Sequence, residues 1–305
     1  MSFSSPRALE MAAKEAAKKS DLSTNRALTL FWWDRFLTRV FQGDEPEFVL
    51  KGGMSMLARM GTRFTKDIDL STRESSLKFA QKKLIERASR DLGDFFHFEF
   101  LSAEPITIND EHLEGQRLTF SIFVGGVNRN KFTVDLVVGC NPIGMPEAVV
   151  PHHRLPIKGL IVSDYFLYPL VDTLADKISA CLAIRPHGRE SSRTKDLVDI
   201  VTIASTTEIH ARELIVALKT VFTQQDIIRP QVFSIPQKWK QGGLNSQYRT
   251  QARDASLDSS LGAIEEAERL AKSMIDPILS KDVIDGHWNP QTQRWEDCQE
   301  QGENV

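Results

Sequence analysis

Cysteine is scarce. Three residues in 305 (Cys140, Cys181 and Cys298) are too scattered, and odd in number, for a disulfide framework or a CxxC metal site, and a reducing, cytoplasmic setting fits this usage. Long apolar runs are missing too. None approaches the ~20 residues of a membrane helix, and residues 120–127, among the longest, contain Gly125 and Gly126. The first twenty residues hold Lys14, Lys18 and Lys19 without an apolar core, so no secretory leader is expected. An excess of positive charge is also absent: 38 Lys and Arg against 41 Asp and Glu give a net charge of −3, which excludes a generic nucleic-acid coat but leaves local basic faces open. His152-His153 and the other five histidines lack HExxH or CxxC companions, arguing against zinc. Without GxSxG, a P-loop or GxGxxG, the usual hydrolase, P-loop kinase and dinucleotide signatures are gone. The five tryptophans read as packing residues.

What remains is ordinary globular composition, 41% hydrophobic and 26% charged. This length suits one large domain or two packed ones. Helices are expected over 8–19 and, after a Ser23-Thr24-Asn25 cap, over 27–41. A short strand at 48–50 leads through Gly52-Gly53 into a helix at 54–60. A strand at 64–70, a helix at 77–92 with a basic outer side, and strands at 95–101, 117–124 and 131–138 follow, the last two joined as a hairpin. From residue 168 the periodicity turns helical, over 168–184, 194–204, 208–222 and 263–274. Residues 241–262 read as a polar stretch rich in Gly, Ser and Gln. The expected domains are an α/β part at 1–165, a helical part at 166–286 that completes the active site, and a flexible acidic tail at 287–305.

The sharpest local feature is Lys66-Asp67-Ile68-Asp69-Leu70. On a strand, Thr65, Asp67 and Asp69 share one face while Ile68 and Leu70 point to the core. Adjacent carboxylates repel unless a cation or proton lies between them, and a hard divalent ion is the natural partner. Fourteen residues before Asp67 stands Gly53, in Lys51-Gly52-Gly53-Met54-Ser55, between a strand and a helix. There, glycines let backbone N–H groups and a helix N-terminus approach a phosphate. On the strand at 131–138, Phe132, Val134, Leu136 and Val138 form the apolar face. Asp135 lies opposite, either as a third metal ligand or as a solvated residue of an amphipathic strand.

This arrangement resembles the DNA polymerase β-type nucleotidyltransferases. The stretches 48–54 and 63–70, with Asp176-Lys177-Ile178-Ser179-Ala180 and Arg193-Thr194-Lys195-Asp196-Leu197-Val198-Asp199-Ile200, are similar to the nucleotidyltransferase toxins of AbiE/MenT-type toxin–antitoxin systems, also grouped as AbiEii/AbiGii proteins. The likeness spans roughly residues 45 to 205. It implies an α/β (α+β) core with a small mixed sheet followed by a helical region. It implies a toxin that transfers nucleotides from an NTP to RNA, the tRNA 3′ end above all, using Mg²⁺ or Mn²⁺, with an antitoxin partner. The catalytic set would be Asp67, Asp69, Asp135, Lys177 and Asp199, with Asp67, Asp69 and Asp135 on the metal. Gly52, Gly53, Ser55, Arg63, Thr65, Arg193, Lys195 and Asp196 would bind nucleotide. Thr65 and Ser55 are candidate sites of regulatory phosphorylation.

By spacing alone, Lys177 shares a helix side with Ala180, Cys181 and Ile184, which suits a site or a snorkelling side chain equally. Lys195, Asp196 and Asp199 read as a solvated helix face. Basic clusters at 177–195 and 77–90 suit triphosphate or RNA-backbone contacts. Two other functions compete: a DxD nucleotide-sugar glycosyltransferase, and a nucleotide- or RNA-binding regulator without catalysis.

Overall fold

The computed structural model describes residues 3–43, 46–106, 113–185 and 189–297. The chain forms two units, one of Met1–Asn141 with Met145–Tyr168, the other of Pro142–Gly144 with Pro169–Val305. The first holds helices α1 (Pro6–Lys18) and α2 (Thr24–Val40), strand β1 (Val49–Lys51), helix α3 (Gly52–Met60), strand β2 (Ile68–Thr72), helix α4 (Leu77–Ala88) and strands β3 (Phe96–Pro105), β4 (Glu114–Val124), β5 (Val127–Val138), β6 (Glu147–Val149) and β7 (Tyr165–Leu167). Its mixed sheet runs β3-β4-β5-β2-β1-β7-β6, with β2 parallel to β5 and β1 parallel to β7. The α/β expectation thus holds for this unit.

One face of the sheet is the core. Phe36 of α2 meets Phe98, Phe120 and Phe132 at ring separations of 5.4, 5.2 and 4.9 Å, aromatic packing that adds to the area buried. Arg35 and Arg39, one helical turn apart and both fully buried, share the Asp94 carboxylate at 2.6 and 2.5 Å. Burial would raise the Asp94 pKa, but the two guanidinium groups hold it below the usual carboxylate range.

The strand expected at 64–70 begins later. β2 starts at Ile68, whose partner is Val134 of β5, and its next three residues, Asp69, Leu70 and Ser71, pair with β1. Residues 62–65 form a loop in which Thr62, Arg63 and Thr65 turn inward and Phe64 stacks on Trp33 at 6.1 Å. Thr65 and Asp67 therefore precede β2 and do not alternate with Asp69 along one strand.

A buried polar cluster lies behind β7. The Asp34 carboxylate accepts from the Tyr165 hydroxyl at 2.7 Å and from Arg154 at 2.9 Å. His153 packs on the Tyr165 ring with both its ring nitrogens buried. Burial pushes the His153 pKa down from 6.5 to about 4. Between those values the unfolded chain takes up a proton that the folded chain refuses. The His153 contribution to stability is therefore complete above pH 6.5 and falls by about 3 kcal/mol as the pH approaches 4. Thermal melts at pH 7.5 and 5 should differ more for the wild type than for His153→Phe; parallel slopes would assign the acid sensitivity elsewhere.

The second unit holds α5 (Leu170–Leu182), strands β8 (Ile184–Arg185) and β9 (Arg189–Glu190), helices α6 (Thr194–Thr206), strand β10 (Ile209–His210), helices α7 (Ala211–Gln224), α8 (Gly242–Asp254) and α9 (Ile264–Ser280), and strands β11 (His287–Asn289) and β12 (Arg294–Glu296). The segment 142–144 is tied to α5, whose Asp172 accepts from the Ile143 and Gly144 N–H groups at 3.0 and 3.1 Å.

Two expectations change here. The polar stretch 241–262 contains α8, which needs only Tyr248 and Ala252, one turn apart, to dock. The supposed flexible tail opens as the β11–β12 hairpin: Trp288 is fully buried and donates to the Ala204 carbonyl, while Trp295 donates to that of Met274. Residues 298–305, including Cys298, lie outside the described residues. No helix among those described is long and apolar enough to cross a membrane.

Candidate active site

Strand register assembles a row of charge. Asp69 on β2 pairs with Asp135 on β5, Lys51 on β1 with Asp69, and Arg117 on β4 with Asp135. Register partners project to the same side of a sheet, so Lys51, Asp69, Asp135 and Arg117 cross four strands as cation, acid, acid, cation. Behind them Ile68, Leu70, Leu118, Val134 and Leu136 are buried in the core. Like charges opposite each other destabilise a sheet, and the flanking cations offset this. Arg117 donates from Nε and Nη2 to the two Asp135 oxygens, both at 2.7 Å. That pair raises the Arg117 pKa, hydrogen bonding first and charge second, with Asp67 and Asp69 adding to it. The Lys51 ammonium lies 3.9 Å from the centroid of the Tyr168 ring.

The two glycines are shaped by the same acids. Gly52 has φ +63°, and a Cβ there would fall 1.9 Å from Asp69 Oδ2. A Cβ on Gly53 would meet Thr65 Oγ1 at 2.9 Å and Arg63 Nη2 at 3.5 Å. Helix α3 starts at Gly52, two residues earlier than periodicity suggested, because this left-handed glycine turns β1 directly into it. Its N-cap, Lys51, gives no side-chain hydrogen bond to the first turn, so these N–H groups and the positive end of the helix suit an anion.

Asp67 and Asp69 are partly exposed oxygen donors, which suits a hard divalent ion. Yet no three His, Cys, Asp or Glu side chains among the described residues gather closely enough to hold a metal. The expected three-carboxylate site is not assembled, and Asp135 is paired with Arg117 instead. Ser55 and Thr65 are 1% and 8% exposed. Neither hydroxyl is presented for phosphorylation unless this corner opens.

In the second unit, Asp196 and Asp199 are fully buried, contrary to the solvated face expected of them. Lys177 is buried as well and bridges them, at 2.9 Å to Asp196 and 2.8 Å to Asp199. Arg193 donates its Nε to Asp196. Burial would raise the Asp196 pKa, but Lys177 and Arg193 overcome it and hold the carboxyl well below its ordinary range. Lys195 is half-buried. Lys177 is thus neither a snorkelling side chain nor one that the core can lose freely.

The basic side of α4 is also reduced. Lys83 and Arg87 pair with Glu47, and Arg87 and Arg90 donate to the Gln42 carbonyl. Lys78 and Lys82 stay exposed. In the other cluster, residues 186–188 and the side chains of Arg185 and Arg189 lie outside the described residues.

Sequence reasoning missed Arg117, which it treated only as the first residue of a strand. The signal was an arginine on the polar side of a strand paired with the one bearing Asp135.

Comparison with known proteins adds three findings. A family profile described as nucleotidyl transferase AbiEii toxin, Type IV TA system, matches residues 35–296. Among solved structures, MenT4, a nucleotidyltransferase toxin from Mycobacterium tuberculosis, is similar at TM-score 0.50 and 14% identity, over 90% of this chain and 98% of that one. JHP933 from Helicobacter pylori follows at TM-score 0.43 and 13% identity, over 86% and 94%. No curated protein matches.

Proposed function

The chain belongs to the AbiEii family of nucleotidyltransferase toxins of toxin–antitoxin systems, and from that premise we propose that it transfers a nucleotide from an NTP to RNA, at the tRNA 3′ end, and so blocks translation. The observation that carries this reading is the register pairing of Asp69 with Asp135 beside the Gly52 turn. Asp67 and Asp69, joined by Asp135 once it is freed from Arg117, would hold a divalent ion. The chemistry such an ion, Mg²⁺ or Mn²⁺, would supply is neutralisation of the triphosphate charge and polarisation of the α-phosphorus. The N–H groups of Gly52 and Gly53, with Arg63 beside them, receive the phosphates. Asp135 takes the proton of the acceptor hydroxyl as it attacks the α-phosphorus, and pyrophosphate leaves with the electron pair of the broken α–β bridge. Growth arrest would then be relieved by the antitoxin.

Incubation with each α-labelled NTP, Mg²⁺ and total tRNA tests the reading. Label is expected at tRNA 3′ ends with at least one NTP. If no RNA is labelled with any of the four, nucleotidyl transfer to RNA is not the activity.

A further inference from the structure

Arg117 has no part in the transfer chemistry, yet it occupies the group meant to accept the proton. Both Asp135 oxygens receive a charge-assisted bond from it, the bidentate geometry in which guanidinium matches carboxylate best. The Arg117 side chain is 45% exposed and that of Asp135 16%. This is therefore not a buried structural pair of the kind that Arg35 and Arg39 make with Asp94. The core does not need it either, since β4 is anchored by Leu118, Phe120 and Ile122 on its other face. The field of Asp67 and Asp69 reaches the same guanidinium. One cation thus lies in the field of all three acids.

We propose that Arg117 is a latch on the active-site acids: in the nucleotide-free protein it holds Asp135 in a bidentate pair and keeps the three-carboxylate metal site from assembling, releasing Asp135 when the phosphates of an incoming nucleotide offer the guanidinium a replacement. This rests on the assignment of Asp67, Asp69 and Asp135 to nucleotidyl transfer. The exchange is chemically even-handed, because a phosphate presents oxygens to a guanidinium as a carboxylate does and carries more charge. A divalent ion arriving alone has no such means of displacing Arg117, and like charge opposes its approach. Metal and nucleotide therefore load together, and the empty toxin binds metal weakly. Arg117 acts through Asp135 and is a positioning residue.

The test is Mn²⁺ binding to the full chain without nucleotide, followed by electron paramagnetic resonance of the free ion. Arg117→Gln should bind Mn²⁺ about tenfold more tightly than wild type, the scale on which partners of ligating groups usually act. Arg117→Gln with Asp135→Asn should lose that gain. Arg117→Lys, which keeps the charge but not the two-pronged contact, should lie between and serves if the glutamine variant misfolds. Unchanged or weaker binding in both Arg117 variants would overturn the latch, as would a gain that survives Asp135→Asn. Asp67→Asn separates the two levels of the argument. If it leaves wild-type Mn²⁺ binding intact, the active-site assignment fails and the latch with it. If it weakens binding while Arg117→Gln changes nothing, the latch alone fails.

Discussion

Asp69→Asn should lower nucleotidyl transfer by roughly 10³ or more, since losing a charged metal ligand at the transition state costs several kcal/mol. Growth arrest should vanish with it. Asparagine has the same shape, so β2 keeps its pairing with Lys51 and Asp135 and Gly52 keeps its contact. The melting temperature should hold or rise, because the substitution removes one of two like charges facing each other across adjacent strands. Activity and stability moving apart is the signature of a group retained for chemistry. Transfer rates and melts on the same preparation check this; an active variant, or one that melts well below wild type, would remove Asp69 from the catalytic set.

Lys177→Met should act in the opposite way, on stability first. It leaves Asp196 and Asp199 fully buried and without the ammonium that bridges them. Breaking a buried pair from one side costs about 3–5 kcal/mol, on the order of 10 °C in melting temperature. The resemblance that makes Lys177 and Asp199 catalytic would, by itself, predict an intact fold. Adding Asp196→Asn and Asp199→Asn separates the two roles, because neutralising the stranded acids should recover most of the lost melting temperature. A recovered fold without activity keeps Lys177 and Asp199 in the catalytic set. Recovery of both would make the cluster structural, and a Lys177→Met melt like wild type would contradict the buried geometry itself. Calorimetry with the transfer assay reads all three.

The acids were legible because they interrupt patterns that sequence displays openly: two charges within a short apolar stretch, one inside an otherwise apolar strand, and a glycine pair ahead of them. Arg117 was hidden by a register shift. Counting back from the Val124–Val127 turn with uniform pairing sets Gln116 opposite Asp135. An irregularity between Ile122 and Phe123 moves the ladder by one and brings Arg117 there instead. Lys177 and Asp199 were named by resemblance, but their burial was not legible, because a charged helix face and a buried ion triad have the same periodicity until the partner helix is known. The Trp288 hairpin escaped for a similar reason: its two tryptophans lie among polar residues, and their burial depends on carbonyls of α6 and α9 distant in sequence.

Residues 142–144 fold with α5 although they leave and re-enter the chain of the first unit. The two units therefore do not correspond to two consecutive stretches of coding sequence. A recombination event joining foreign DNA after Tyr168 would bring a helical unit whose Asp172 counterpart finds a stranger's loop, and would leave the resident loop without its own helix. Exchange of either unit by a single crossover is penalised by this small interleaving, so the units are expected to be inherited together. New specificities in such a toxin would then arise by point substitution rather than by shuffling of halves.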